Sequence, residues 1–309
     1  MGPYQKLYIY ELSDEISGRG NVFGPDFIGC WNEAGSSFLF FSSNHDETVG
    51  RWLANQGRVS LVSKHVMDYR DWQAGDDLKP SRIEKLVICP LWEQVKIADE
   101  EILIRLDPGV VFGTGLHPTT RGCLKALWRI YQVDSPQNVL DIGTGTGILA
   151  IAAAKLGARK VVAIDLNELA AETARKNVLF NGLEDRVQVK WGEAEAFIGE
   201  KADLVLVNIH FQVIDALMKR DELFSKRWIV VSGLFHGQAS GVLASLEKQH
   251  LKIHDSMEDD RWVTLILGNK PVEEGPEKWE REKLIRIVRE KHSIEESQDH
   301  MKNEKEHWP

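Results

Sequence analysis

From residue 136 to residue 268 the chain alternates short apolar runs with longer stretches of helical period. NVLDIG (138–143), KVVAID (160–165), RVQVKWG (186–192), ADLVLVN (202–208) and WIVVSG (228–233) each read as a strand. Runs such as LVLV are apolar on successive rather than alternate positions, the pattern of strands covered on both faces in a parallel sheet. The segments between them supply the helices: ILAIAAAKLGA (148–158), NELAAETARKNVLFNG (167–182) opened by Asn167 as N-cap, the stretch from His210 to Lys219, and QASGVLASLEKQ (238–249). LKIHDSME (251–258) and RWVTLILG (261–268) follow too closely for a parallel crossover, so they pair as an antiparallel hairpin. The expected fold class is α/β, a Rossmann-like sheet of seven strands with an antiparallel last strand.

The first 70 residues have a different rhythm. KLYIYEL (6–12), FIGCWNE (27–33), SSFLFFSS (36–43) and VSLVSKHVM (59–67) read as strands, and DETVGRWLANQ (46–56) as a short helix with Val49, Trp52 and Leu53 on one face. This predicts a small α+β domain over 1–70. The glycine-rich SDEISGRGNVFGPD (13–26) lacks a helical period, so a crossover helix there is absent or weak. The polar, turn-rich stretch 68–82 marks a hinge; a linker is expected at 71–100, the larger domain at 101–270 and a mixed-charge tail at 271–309.

Composition narrows the class. A chain of 309 residues, 43% hydrophobic, can bury two cores. A net charge of −9 leaves no global basic field, and no direct DNA binding is expected. Cys30, Cys89 and Cys123 stand far apart, with no CxxC pair and no disulfide framework, which fits a reducing compartment. The opening MGPYQKLYIYELSDE has no basic-then-apolar order and no run reaches membrane-span length, so a cytoplasmic, soluble protein is expected. His250 and His254 fall across a break in the strand pattern, and no metal site is expected.

The chemistry concentrates in VLDIGTGTG, which places Asp141, Gly143, Gly145 and Gly147 where a strand turns into a helix. Glycines there let backbone N–H groups approach a ligand. Asp165, at the end of the next strand, is placed to accept hydrogen bonds from a ribose diol, or else to cap the following helix. Two ligands fit at this point. A dinucleotide suits the GxGxxA register of Gly145, Gly147 and Ala150; S-adenosylmethionine suits Asp141, a carboxylate for its methionyl amine or sulfonium. Glu193 or Ala194, after the third strand, stands where a purine would lie.

DPGVVFGTGLHPTT (107–120), followed by LDIGTGTGILAIAAAKLGA, resembles the ribosomal protein L-eleven methyltransferases of the PrmA type, a class I S-adenosylmethionine-dependent family. DW (71–72) with DLKP (77–80) is similar to that family's linker, and RWVTLILG to its closing strand. The resemblance implies a ferredoxin-like N-terminal module that presents a protein substrate. It also implies methyl transfer to lysine side chains and an N-terminal amine of a ribosomal protein. In it FGTGLHPTT is a lid over the methionyl half of the cofactor. Thr120, Asp141, Gly143, Gly145, Asp165 and Asn208 hold that cofactor, with Asn208 also the catalytic residue. Thr119 and Thr120 equally suit a helix N-terminus, and His117 reads as a base or as the shaper of the turn before Pro118.

NIHF (208–211) stands where some amino-methylating enzymes carry Asn-Pro-Pro-Tyr; Phe211 is then either a contact for a methylated ammonium or a core residue. Three alternatives stay open: a relative acting on another protein lysine or a small amine, an NAD(P)-dependent oxidoreductase, and a non-catalytic cofactor-binding module.

Overall fold

The computed structural model describes residues 4–16, 23–73, 77–246 and 251–268. The expected tail at 271–309, most of the 13–26 segment's centre (17–22) and His250 lie outside these residues.

Four strands build the first sheet: β1 (Lys6–Leu12), β2 (Phe27–Glu33), β3 (Ser36–Phe41) and β4 (Leu61–Asp68), with helix α1 (Asp46–Leu53) between the last two. Their order is β2-β3-β1-β4, and every pair is antiparallel. Period-2 alternation assigns the faces. Tyr10, Leu12, Leu39 and Phe41 pack with Val49 and Trp52 of α1 around Phe23. Leu7, Ile9 and Phe40 point the other way and pack with Val110, Val111, Leu169 and Ala170 of the larger domain. Between β1 and β2 the described residues hold no helix.

The short helix α2 (Tyr69–Trp72) leads into three strands, β5 (Ser81–Ile83), β6 (Leu86–Pro90) and β7 (Ile102–Leu106). Here the structure departs from the expected linker at 71–100. Ile83, Leu86, Ile88, Ile104 and Leu106 are buried in the main core of the larger domain. The physical reason is the run LVICP: five consecutive buried residues cannot stay in water, at about 2 kcal/mol for each large aliphatic side chain buried. The polar sequence on either side disguised it.

The larger domain continues with α3 (Pro118–Val133), β8 (Asn138–Ile142), α4 (Ile148–Leu156), β9 (Lys160–Asp165), α5 (Glu168–Phe180), β10 (Val187–Trp191), β11 (Leu204–Asn208), α6 (Phe211–Leu217), α7 (Asp221–Phe224), β12 (Trp228–Phe235), α8 (His236–Leu246), β13 (Lys252–Asp259) and β14 (Trp262–Gly268). The strand order is β10-β9-β8-β11-β12-β14-β13. The first five are parallel, and β14 inserts antiparallel between β12 and β13. The order reverses between β8 and β11, which opens a crevice at their carboxyl ends. α4 is buried on every side from Ile148 to Ala154; its small alanines let it wedge between the sheet, α3 and α5.

Candidate active site

Three neighbouring strands deliver their last residues to one edge of the crevice: Asp141 near the end of β8, Asp165 closing β9 and Asn208 closing β11. The loop 143–147 passes between β8 and α4 with all three glycines at positive φ. Gly145 has φ +55°, and a Cβ there would lie 2.5 Å from the carbonyl oxygen of Phe112. That contact is with backbone, so only glycine fits.

The segment 107–117, which contains most of the expected lid FGTGLHPTT, is bonded to this loop. The N–H of Thr146 donates to the carbonyl of Phe112 at 3.1 Å, and Thr146 Oγ1 donates to that of Gly113 at 2.6 Å. The base of this segment is fixed by two asparagines one turn apart, Asn177 on α5 and Asn181 just past its end. Asn177 accepts from the N–H of Asp107 (2.8 Å) and donates to the carbonyls of Asp107 (3.0 Å) and Thr146 (2.9 Å). Asn181 accepts from the N–H of Arg105 at 3.0 Å and donates to its carbonyl at 2.7 Å. Sequence reasoning singled out neither. The available sign was an amide, Asn177, in line with the buried positions of α5, with a second amide four residues on.

Asp165 accepts from the N–H of Gly145 and from that of Asn167, each at 2.9 Å. Burial raises its pKa while these N–H groups oppose the rise. It does not cap α5: Asn167 does, accepting from the N–H groups of Leu169 and Ala170. Each carboxylate oxygen of Asp165 therefore keeps a lone pair for a hydroxyl.

Asp141 is fully buried. Its Oδ2 accepts from Thr144 Oγ1 at 2.6 Å, and Oδ1 makes no hydrogen bond of standard geometry among the described residues. Burial pushes its pKa up to about 7, against the Thr144 hydroxyl and the N–H of Ala150 and with the repulsion of Asp165. Thr120 presents a second buried and unpartnered oxygen, its Oγ1. Thr120 is not the cap of α3. That role belongs to His117, whose Nδ1 accepts from the N–H of Thr119 at 3.3 Å and lies 2.8 Å from its hydroxyl. Burial, Arg121 and Arg261 lower the pKa of His117, which favours the neutral ring with its Nδ1 lone pair facing the Thr119 N–H.

Among the described residues the Asn208 amide has no hydrogen bond, which leaves it open to the crevice. Phe211 packs against the core cluster on the α6 side of the sheet. Glu193 precedes a single 3-10 turn, and Ala194 packs on that same cluster. At the tips of β9 and β10 the exposed apolar surface is instead Leu166 and Trp191, tied together by a 2.8 Å hydrogen bond from Trp191 Nε1 to the Leu166 carbonyl.

A ring cluster stands at the same edge beyond Asn208. His117 lies between Phe112 (centroids 5.2 Å apart) and Trp262 (5.1 Å), and Trp262 stacks on Phe235 at 4.5 Å beneath the Arg261 guanidinium. Sequence reasoning did not single out Phe235 or Trp262. They come from the end of β12 and the head of β14, adjacent only because β14 runs antiparallel.

A seven-stranded sheet in this order, with acidic residues at the tips of its first two strands and a glycine loop between, is the architecture of a class I methyltransferase domain. The particular family follows from comparison: residues 41–270 match the family described as "Ribosomal protein L11 methyltransferase (PrmA)", and the chain belongs to it. Curated relatives named ribosomal protein L11 methyltransferase in Clostridium perfringens strains SM101 and ATCC 13124 are 37% identical over 196 residues, 61% of this chain. The matched part spans 60% of the length of those relatives. A crystal structure described as ribosomal protein L11 methylase from Lactobacillus delbrueckii subsp. bulgaricus is 31% identical; it covers 62% of this chain and all of its own, with a TM-score of 0.56. Among the described residues no helix is long and apolar enough to cross a membrane.

Proposed function

We propose that this chain uses S-adenosylmethionine to methylate lysine side chains and an N-terminal amine of a large-subunit ribosomal protein of the L-eleven type, in the cytoplasm. What supports the cofactor half is the set of acceptors at one edge of the sheet, Asp141, Asp165 and Asn208 at the ends of three neighbouring strands, together with the buried Thr120 Oγ1 and Asp141 Oδ1, which have no hydrogen bond of standard geometry among the described residues. A buried polar atom without a partner costs about 1–3 kcal/mol, a cost that a polar ligand offsets. The bound cofactor supplies a methyl group already activated on a positively charged sulfur. Asp141, once ionised, favours a cation nearby; Asp165 offers its free lone pairs to a diol; the loop 143–147 leaves room for the ligand's backbone contacts.

The remaining work is orientation of a neutral amine. A lysine with a reference pKa of about 10.4 gives up roughly 4 kcal/mol to be neutral near pH 7.4, and an α-amine much less. A dry wall of rings lowers that pKa by disfavouring the charged form, so no strong base is required. The Asn208 carbonyl accepts an amine N–H and aims the lone pair; Phe112, Trp262 and Phe235 supply the wall. His117 serves the architecture through its cap.

The test is transfer of radiolabelled methyl groups from S-adenosylmethionine to purified ribosomal proteins. Label is expected in one large-subunit protein. Asn208→Ala should lower turnover about a hundredfold while S-adenosylhomocysteine affinity stays within about twofold. Absence of label from every ribosomal protein, or equal losses in turnover and affinity, overturns the assignment.

A further inference from the structure

The lid is not held by the catalytic domain alone. Tyr69 Oη donates to the carbonyl of Gly109 at 2.6 Å, and Trp72 Nε1 donates to that of Val110 at 3.1 Å. Both residues belong to α2, which is fastened on its other side to the N-terminal sheet. The Tyr69 N–H donates to the Gln5 carbonyl at 3.0 Å, just ahead of β1. The Trp72 ring meets Phe40 of β3 edge-on at 5.3 Å, and Tyr4 lies 5.0 Å from the Tyr69 ring. Tyr4 Oη also reaches the Asp107 carboxylate at 3.3 Å. Two residues beyond Val110 begin the bonds to Thr146. The strap 109–113 therefore hangs from the N-terminal domain at one end and from the glycine loop at the other, and the turn between is closed by the Val111 N–H on the Pro108 carbonyl at 2.8 Å. Trp72 is 37% exposed, so a protein docked on the N-terminal domain beside α2 would touch it.

We propose that Tyr69 and Trp72 are positioning residues: through the strap they set the lid and the glycine loop, so that whatever holds the N-terminal sheet also changes how tightly the cofactor is held. The inference rests on the reading above that this loop holds S-adenosylmethionine. Coupling of this kind is reciprocal, and it needs a contiguous element shared by both sites. The strap is such an element, and its two ends are fixed by directional hydrogen bonds rather than by apolar contact alone. It also accounts for hydrogen-bond donors in a segment expected to be a free hinge.

Tyr69→Phe and Trp72→Phe each remove one donor and keep a ring in place. The full chain carrying both changes is compared with the wild type by hydrogen–deuterium exchange without ligand and by calorimetry with S-adenosylhomocysteine. Amides of both 109–116 and 143–147 should exchange faster, and affinity should fall about five- to tenfold, the low end of site-to-site coupling. Lower thermal stability with unchanged exchange at 143–147 and unchanged affinity would make the pair merely structural and overturn the proposal. Should the double variant fail to fold, Tyr69→Phe alone, which loses only a hydroxyl, decides by the same two readings. If the wild type binds no S-adenosylhomocysteine, the functional reading fails, and the exchange at 143–147 still decides the strap.

Discussion

The two halves of the crevice are built differently. The half with Asp141, Asp165 and the loop 143–147 is held by backbone: N–H groups of Gly145 and Asn167 on Asp165, and carbonyls of Phe112 and Gly113 on Thr146. The half with Phe112, His117, Phe235 and Trp262 is held by ring contacts at 4.5–5.2 Å. Backbone hydrogen bonds fix position to a few tenths of an ångström and tolerate almost no substitution. Ring packing tolerates substitution and adapts to what it meets. A pocket for one invariant ligand suits the first construction, and a mouth for the proposed protein amine suits the second.

The comparison breaks most readily at Gly145. Gly145→Val adds a side chain at φ +55° against the Phe112 carbonyl. Affinity for S-adenosylhomocysteine should fall at least about a hundredfold, with a stability loss of about 2–4 kcal/mol; wild-type affinity by calorimetry would refute the rigid cradle. Asp165→Ala comes next. It strands two backbone N–H groups and removes the diol acceptor, so affinity should drop about thirtyfold, and an unchanged titration would remove the ribose role.

The charge at Asp141 gives a pH test. Its folded pKa, about 7, stands above that of an unfolded aspartate because the buried site disfavours the ionised form. The folded chain thus holds an extra proton between about pH 4 and 7. Asp141's contribution to stability is fully present at low pH and is lost as pH rises through about 7. A cationic ligand draws the ionised form, so affinity should rise about tenfold from pH 6 to 8 and level off, with proton release seen in buffers of different ionisation enthalpy. Asp141→Asn should flatten the profile; a slope that persists points to another group.

The smallest effect is expected on the ring side. Trp262→Leu should raise the KM for the protein substrate about fivefold, in the range of a lost cation–π contact, and leave S-adenosylhomocysteine affinity unchanged. A parallel loss of affinity would mean that the rings belong to the cradle after all.

Much of the half with Asp141 and Asp165 was legible because its parts are local. Asp141 and the three glycines lie within seven residues, and the next strand carries Asp165 at the spacing a βαβ unit imposes. The central strands followed from their continuous apolar runs for the same reason. The strands of 81–106 were obscured by polar flanks, and α3 by the glycine and proline at its start. The capping of α3 by His117 rather than by Thr119 or Thr120 depends on a side-chain rotamer that residue type does not specify. The packing of a half-buried Phe211 against the core depends on which side of the sheet α6 covers.

The chain's own text determined the sheet, the glycine turn and the acidic tips, since strand burial and turn geometry are written in neighbouring residues. Only the tertiary structure decided what meets across the crevice: Asn177 and Asn181 on the lid's base, Trp262 beside His117, Tyr69 and Trp72 on the strap. Those partners stand from about forty to nearly one hundred and fifty positions apart. No local pattern records which distant groups a twisted sheet with an inserted antiparallel strand brings within hydrogen-bond or van der Waals reach.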